Sequence, residues 1–513
     1  MSAVNAIELK NITKTFGSVV ANDNVCLSVK SGEILSLLGE NGSGKTTLMN
    51  MLSGIYYPDA GEIFIKGSRV DIRCPADSYR FGIGMIHQHF KLVDIFTAAE
   101  NVALGIKGKK DADLSAVSKK IKELSDKYGF DVHPEKKIYD MSVSEKQTVE
   151  IIKTLYRGAE ILILDEPTAV LTPQETKNLF KILRKMRDDG KAIIIITHKL
   201  SEVLELSDRV SVLRKGKYIG TINTCEATEL SLTEMMVGEK VTLDIERPEV
   251  QNRTKRIEIK DVSCSDKTGF KVLSDINFDI YSGEILGIAG IAGSGQKELL
   301  EIVAGLQPVD SGSVKYFSPD SEEHEQLIGK TPLQIRRLGV ALSFVPEDRL
   351  GMGLVGSMGM TGNMMLRSYR EGIGFFTDRK KPRKLSEDIV KQLSVSTPSV
   401  WTPVRRLSGG NVQKVLLGRE IAASPTVLMT AYAVRGLDIN TSYTIYHLLN
   451  EQKKKGVAVV YVGEDLDVLL ALSDRILVLC QGRVSGIVDA KSATKEQIGL
   501  MMTKHSEGGQ ADE

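Results

Sequence analysis

Apolar residues follow two rhythms along the chain. Glu33–Leu38, Ile161–Leu164 and Ala192–Ile196 are short, mostly apolar runs of strand length, the pattern of strands buried on both faces of a parallel sheet. Between such runs apolar positions recur at helical spacing. Thr46–Ser53 gathers Leu48, Met51 and Leu52 on one side and stops at Gly54. Leu114, Val117, Ile121, Leu124 and Tyr128 form a second stripe, with Lys119, Lys120, Lys122 and Glu123 between them, and predict a helix packing one face on a core. Strand alternating with helix predicts an α/β fold. The apolar runs are far shorter than the roughly 18 residues of a membrane span.

The same pattern occurs twice. Ser31–Leu35 reads SGEIL and Ser282–Leu286 repeats it; Gly54 and Gly61 return as Gly305 and Gly312. LSDRVSVL at Leu206–Leu213 returns as LSDRILVL at Leu472–Leu479. So many ordered matches predict two homologous domains, residues 1–237 and 256–504. The polar stretch 238–255 reads as a linker and 505–513 as a flexible tail.

Composition narrows this picture. Lys+Arg at 67 against Asp+Glu at 66 leaves no net field to attract nucleic acid. The five cysteines (Cys26, Cys74, Cys225, Cys264, Cys480) are scattered without a CxxC pair, which predicts reduced thiols and neither a disulfide framework nor a zinc site. The first residues lack the basic-then-apolar order of a secretory signal. Met358, Met360, Met364 and Met365 read as core packing or adaptable contacts.

Chemistry concentrates in the first half. Gly39-Glu40-Asn41-Gly42-Ser43-Gly44-Lys45-Thr46-Thr47 fits GxxxxGK[ST] between a strand and a helix, the context that makes the motif specific. Its glycines let backbone N–H groups curl around phosphate oxygens at a helix N-terminus. Lys45 is expected to neutralise the β/γ-phosphates and Thr46 to ligate Mg²⁺. The run ILILDE ends in Asp165, a second Mg²⁺ anchor, and Glu166, which can polarise an attacking water. His198 follows the next apolar strand, at the carboxyl end where open α/β sheets bind ligands, and is expected to sense the γ-phosphate.

This set resembles one half of an ABC-type ATPase, with Gln88 at the Q-loop position as a further Mg²⁺ ligand and Phe16 where such proteins stack an aromatic ring on adenine. Leu407–Asn411 (LSGGN) in the second half resembles the ABC signature that contacts the γ-phosphate across a dimer interface, through Ser408, Gly409, Gly410 and Asn411. The resemblance covers nearly the whole chain. It implies two tandem ABC ATPase domains, each a RecA-like parallel-sheet core with an antiparallel β subdomain and a helical signature subdomain, using ATP and Mg²⁺.

The second half departs from the family pattern. Its phosphate loop, Gly290 through Gly293 and Gly295, ends in Gln296 and Lys297 where lysine and a hydroxyl are needed. Ala431 and Tyr432 replace the Asp-Glu pair, Glu464 the histidine and Glu347 the Q-loop glutamine. In the first half the signature is the damaged element: Met141-Ser142-Val143-Ser144-Glu145, whose glutamate is expected to oppose phosphate. Asp438 keeps the D-loop acid in the second half, whereas the first has Thr172. In ABC dimers each ATP lies between one half's phosphate loop and the other's signature. The resemblance therefore implies one intact composite site and one degenerate site.

The fused arrangement, with TLYRGAEILILDEPTAVLTPQE, is similar to ATP-binding subunits of sugar and nucleoside importers. It implies two integral-membrane permease subunits, an extracytoplasmic solute-binding protein, and a peripheral position on the cytoplasmic side of the cell membrane. Ala431 and the segment beginning at Val345 resemble nucleoside-type relatives, purine carriers foremost; ribose- or galactose-type relatives often keep the acid at that position. A soluble two-domain ABC protein acting on ribosomes or DNA is the remaining alternative, disfavoured by the short linker and balanced charge.

Overall fold

The computed structural model describes residues 5–17, 19–87, 90–105, 113–169, 171–197, 199–238, 245–249, 253–266, 268–291, 293–321, 323–337, 342–346, 348–369 and 377–503. The chain divides into two compact units, Met1–Thr242 and Leu243–Glu513.

In the first unit five strands make the sheet core, in the order Arg209–Arg214, Ile34–Leu38, Ala192–Ile196, Ile161–Asp165, Ile83–Ile86, all parallel. Successive side chains of a strand point to opposite faces. Ile34, Leu162, Leu164, Ile193 and Ile195 accordingly enter one hydrophobic core with Val149 and Phe180 of the flanking helices. Leu35, Leu37, Ile161, Ile163, Ile194 and Ile196 enter the opposite core with Leu48 and Met51. This double burial is why the strands read as unbroken apolar runs. The helices covering these faces are Lys45–Leu52, Val143–Tyr156 and Pro173–Asp188. An antiparallel sheet of Ser68–Val70, Ala60–Ile65, Asn5–Phe16 and Val19–Lys30 joins this core through the pairing of Asp23 with Lys217 on the strand Lys217–Asn223, which itself runs antiparallel to Arg209–Arg214.

The helix Leu114–Tyr128 forms where its stripe predicts, capped by the Asp113 side chain and ended by Gly129 in a left-handed conformation. Val117, Ile121 and Tyr128 are buried, Leu124 packs at the core's edge, and Leu114 is exposed in the first turn.

The second unit repeats the sheet order: Leu342–Val345, Val427–Ala431, Ala458–Val462, Ile285–Gly290 and Arg475–Cys480 are parallel, with Arg483–Asp489 antiparallel at the edge. Its antiparallel sheet contains Lys271–Tyr281, Lys255–Ser265, Ser311–Phe317 and His324–Gln326. Of the predicted methionine cluster, Met360 and Met364 are core residues and Met358 is exposed. Described residues of the 238–255 stretch bond to the second unit: the Asn450 amide donates to the Glu246 carbonyl at 2.6 Å, Arg247 to Ser473 O at 2.9 Å, and Arg253 pairs with Asp474 at 3.1 Å. The tail 505–513 lies outside the described residues.

The repeated LSDR motif has a structural reason. Asp208 accepts the backbone N–H of Ile34 at 2.8 Å, and Asp474 that of Ile285 at 2.9 Å, so each aspartate fixes the start of a phosphate-loop strand. Arg187 balances Asp208 at 3.0 Å on a partly exposed surface, whereas Lys453, with no exposed side-chain area, balances Asp474 at 2.9 Å. Removing a fully buried partner is costly even though Arg253 remains beside Asp474, while an exposed pair contributes little. Lys453→Ala is therefore expected to cost about 2–4 kcal/mol and Arg187→Ala below about 1 kcal/mol in urea unfolding, each followed by a reporter in its own unit.

Candidate functional site

The site of the first unit lies at the carboxyl edge of its parallel sheet. Register sets Leu37 and Asp165 beside Ile196, so three strands end side by side at the edge where open α/β sheets bind ligands. The chain leaves Leu38 through a loop that only glycine permits at two points. A Cβ on Gly39 (φ 153°) would lie 2.3 Å from the Leu213 carbonyl oxygen, and one on Gly44 (φ 96°) 2.2 Å from that of Ala21. The loop then enters the helix Lys45–Leu52 with no side chain capping its N-terminus. Lys45 is buried, and its ammonium donates to the carbonyls of Gly39 at 2.6 Å and Glu40 at 2.9 Å. Burial pulls its pKa down, against the pull of Glu166, Asp165 and Glu40.

The buried Ser43 hydroxyl has no hydrogen-bond partner among the described residues. A glycine-lined cradle, an orphaned hydroxyl, an uncapped helix N-terminus and a buried cation together fit a phosphate group. Thr46 is exposed on the first helical turn, Thr47 half-buried, and Asn41 and Gly42 exposed at the loop's crest.

Asp165 ends its strand with its carboxyl pushed up to about 6, first by burial and then by the neighbouring Glu166, with Lys45 opposing. Such an acid suits a divalent cation, whose charge would hold it ionised. Glu166 adopts a left-handed backbone (φ 47°) and donates its N–H to Ile196 O at 2.9 Å. That conformation is uncommon for a residue with a side chain, and it turns the chain at the strand's end, where Glu166 acts electrostatically on Lys45. Phe16 is half exposed and meets Tyr56 edge to face at 5.1 Å, an aromatic pair of which the sequence reading found one member. Gln88, His198 and Glu347 lie outside the described residues.

The second unit keeps the backbone of this site and changes its charges. Gly293 (φ 87°) and Gly295 (φ 95°) match Gly42 (φ 80°) and Gly44. Gln296 is buried as Lys45 is, and its amide donates to the Ile291 carbonyl at 3.1 Å. A neutral amide thus makes a contact equivalent to Lys45 with Glu40 and brings no charge. Lys297 is exposed, with its ammonium 3.9 Å from Glu301. Ala431 is buried and Tyr432 (φ 51°) retains the left-handed turn, donating its N–H to Val462 O at 3.0 Å. Arg435, which sequence reasoning passed over, pairs with Glu464 at 3.3 Å and lies 6.0 Å from the Tyr432 ring.

The two signature segments differ in how their helices begin. Ser142 and Glu145 form a reciprocal capping box on Val143–Tyr156, with Ser144 in its first turn. Both Glu145 oxygens also bond Lys136, at 2.7 and 2.9 Å. Glu145 is therefore not a bare charge: its carboxylate is ion-paired with Lys136 and accepts the Ser142 N–H. In the second unit Ser408 caps Gly409–Ala422, and Asn411 donates to Ser408 Oγ at 2.8 Å. Asp438 caps Ile439–Lys454 and bonds the N–H and hydroxyl of Thr441, both at 2.8 Å. A Cβ on Gly410 would lie 3.4 Å from Asp438 Oδ2, so Asp438 adjoins the signature glycine within its own unit.

Residues 22–169 and again 273–430 match the family model described as ABC transporter. The chain belongs to the ABC transporter family. As a member it is an ABC ATPase with two such domains. It is 41% identical to the nucleoside import ATP-binding protein NupA of Lactococcus lactis, over 98% of this chain and 99% of that one. The guanosine import ATP-binding protein NupO of Bacillus subtilis is 41% identical over 99% of each, and the ribose import ATP-binding protein RbsA 1 of Rubrobacter xylanophilus 37% over 98% of each.

The raised pKa of Asp165 makes a signed prediction for this ABC ATPase. With the folded value about 6 and the ordinary value 3.8, the folded protein holds the proton more tightly. Asp165 therefore lowers stability progressively as pH rises through that window, and the penalty is complete above it. Asp165→Asn is expected to raise Tm without nucleotide or Mg²⁺ at about pH 7.5, by about 2–4 °C, and to flatten the pH dependence, while hydrolysis is lost. The check is calorimetry across the window alongside phosphate release.

Proposed function

We propose that this chain is the ATP-hydrolysing motor subunit of an ABC importer that energises nucleoside uptake, working through one composite catalytic site. The observation that carries the reading is the crossed survival of parts. The charged phosphate cradle and acid pair persist in the first unit, and the glycine signature persists in the second. Their counterparts carry Gln296, Ala431 and Tyr432, and the self-capped Ser142–Glu145 helix. Decay without functional constraint would not sort the losses in this way.

In this reading the loop amides of Gly39–Gly44 and the ammonium of Lys45 hold the triphosphate, and Phe16 stacks on the base. Thr46 and Asp165, joined by Gln88, are the Mg²⁺ ligands; the bound ion supplies positive charge to the β/γ-phosphates. Glu166 accepts a proton from the attacking water, His198 contacts the γ-phosphate, and the N–H groups of Gly409 and Gly410 at their helix N-terminus stabilise its developing charge. Asp438 supports the signature from its own unit. The altered site, with Gln296 and Tyr432, does not hydrolyse ATP by this route.

Permeation falls to partner subunits: two integral-membrane permeases, fed by an extracytoplasmic solute-binding protein, with this chain peripheral on the cytoplasmic face. No described helix is long and apolar enough to cross a membrane. Nucleoside cargo is favoured by the NupA and NupO relatives and by Ala431; a simple sugar is the second reading, favoured by the ribose-import relative.

Glu166→Gln is expected to trap ATP and lower turnover by about a hundredfold or more; unimpaired turnover would remove Glu166 from this role. Gln296→Ala is expected to leave the maximal rate within about twofold, and a collapse would restore catalysis to the second site. Uptake into vesicles reconstituted with the partner permeases, across nucleosides and pentoses, decides the cargo.

A further inference from the structure

The segment that follows the catalytic acid is held differently in the two units. In the first, the buried Thr168 hydroxyl, two residues beyond Glu166, donates to Glu202 Oε2 at 2.5 Å. Glu202 sits in the first turn of Leu200–Leu206, four residues after His198 in sequence, and pairs with Lys199 at 3.0 Å. Lys199 in turn reaches the Thr168 carbonyl at 3.4 Å. On its other side the segment is tied to the signature-helix side chain Gln147, which donates to Pro167 O at 2.8 Å.

Among the described residues, none of these ties recurs at the matching positions of the second unit. Val434 and Val468 stand for Thr168 and Glu202, both packed on the hydrophobic core. Asp465 stands for Lys199 and caps its own helix through Asp467 N at 2.9 Å. Gln413 stands for Gln147, fully buried with neither amide atom partnered among the described residues. The backbone turn survives there, as Tyr432 demonstrates, so the fold itself does not require the polar ties.

We infer that Thr168, Glu202 and Lys199 form a latch that positions Glu166 relative to the segment carrying His198, and that Glu202 is a positioning residue for hydrolysis. The latch joins the two strand-end segments whose side chains must converge on one phosphate, and it is kept only in the unit that retains those side chains. A hydrogen bond of fixed geometry holds their spacing in a way an apolar contact does not. The inference rests on the assignment of Glu166 under Proposed function.

The test moves the second unit's valine pair into the first, as Thr168→Val with Glu202→Val, in the full chain. The expected result is a Tm near that of the parent, an ATP KM within about twofold and a kcat lowered by about tenfold. Glu202→Gln keeps an acceptor for Thr168 and is expected to retain kcat within about threefold. Thr168→Val alone removes the donor at equal size and is expected to lower kcat with KM kept. Parent kcat in either variant lacking the Thr168 hydroxyl, beside an inactive Glu166→Gln control, overturns the latch alone. A fully active Glu166→Gln overturns the site assignment beneath it.

Discussion

A buried ammonium facing two carboxylates at the open edge of a parallel sheet is the constraint around which the first unit is organised. Lys45 is held inside its own loop by two carbonyl oxygens, and Asp165 keeps an elevated pKa beside Glu166. Neither charge is comfortable without a ligand. Burial disfavours both, and their mutual attraction offsets only part of that cost. On the reading proposed above, a bound triphosphate with its cation would relieve both, and the stability they cost would then contribute to ligand affinity.

The second unit is the same frame with this tension removed. Gln296 occupies the Lys45 position with a neutral amide, Ala431 takes away the buried acid, and the left-handed turn persists under Tyr432. Glu145 plays a similar part at the first unit's signature helix, where its carboxylate accepts the Ser142 N–H and pairs with Lys136. Each change replaces a ligand-dependent interaction with an internal one. On the reading proposed above, the second unit exchanges dependence on a ligand for self-sufficiency.

Much of this was legible in the sequence because backbone demands leave residue-type marks. Close approach at Gly39 and Gly44 requires glycine, double burial requires Ile-rich strands, and duplicated anchors leave duplicated LSDR motifs. The helices and strands began within a residue or so of their expected limits; the helix predicted from Thr46 starts at Lys45. Pairings between distant residues were not legible. Lys136 with Glu145, Tyr56 with Phe16, Arg435 with Glu464 and Thr168 with Glu202 depend on which loops the fold brings together. A charge that stands alone in the sequence can prove paired once the fold is known, as Glu145 is with Lys136.

In the function proposed above, the first unit's phosphate loop works with the second unit's signature. Vanadate trapped with ADP stands in for the γ-phosphate, and ultraviolet irradiation then cuts or oxidises the serines beside it. Mass mapping of the irradiated full chain is predicted to find modification at Ser43 and Ser408, with Ser294 and Ser142 untouched. Modification at Ser294 together with Ser142, or at Ser43 together with Ser142, would contradict it.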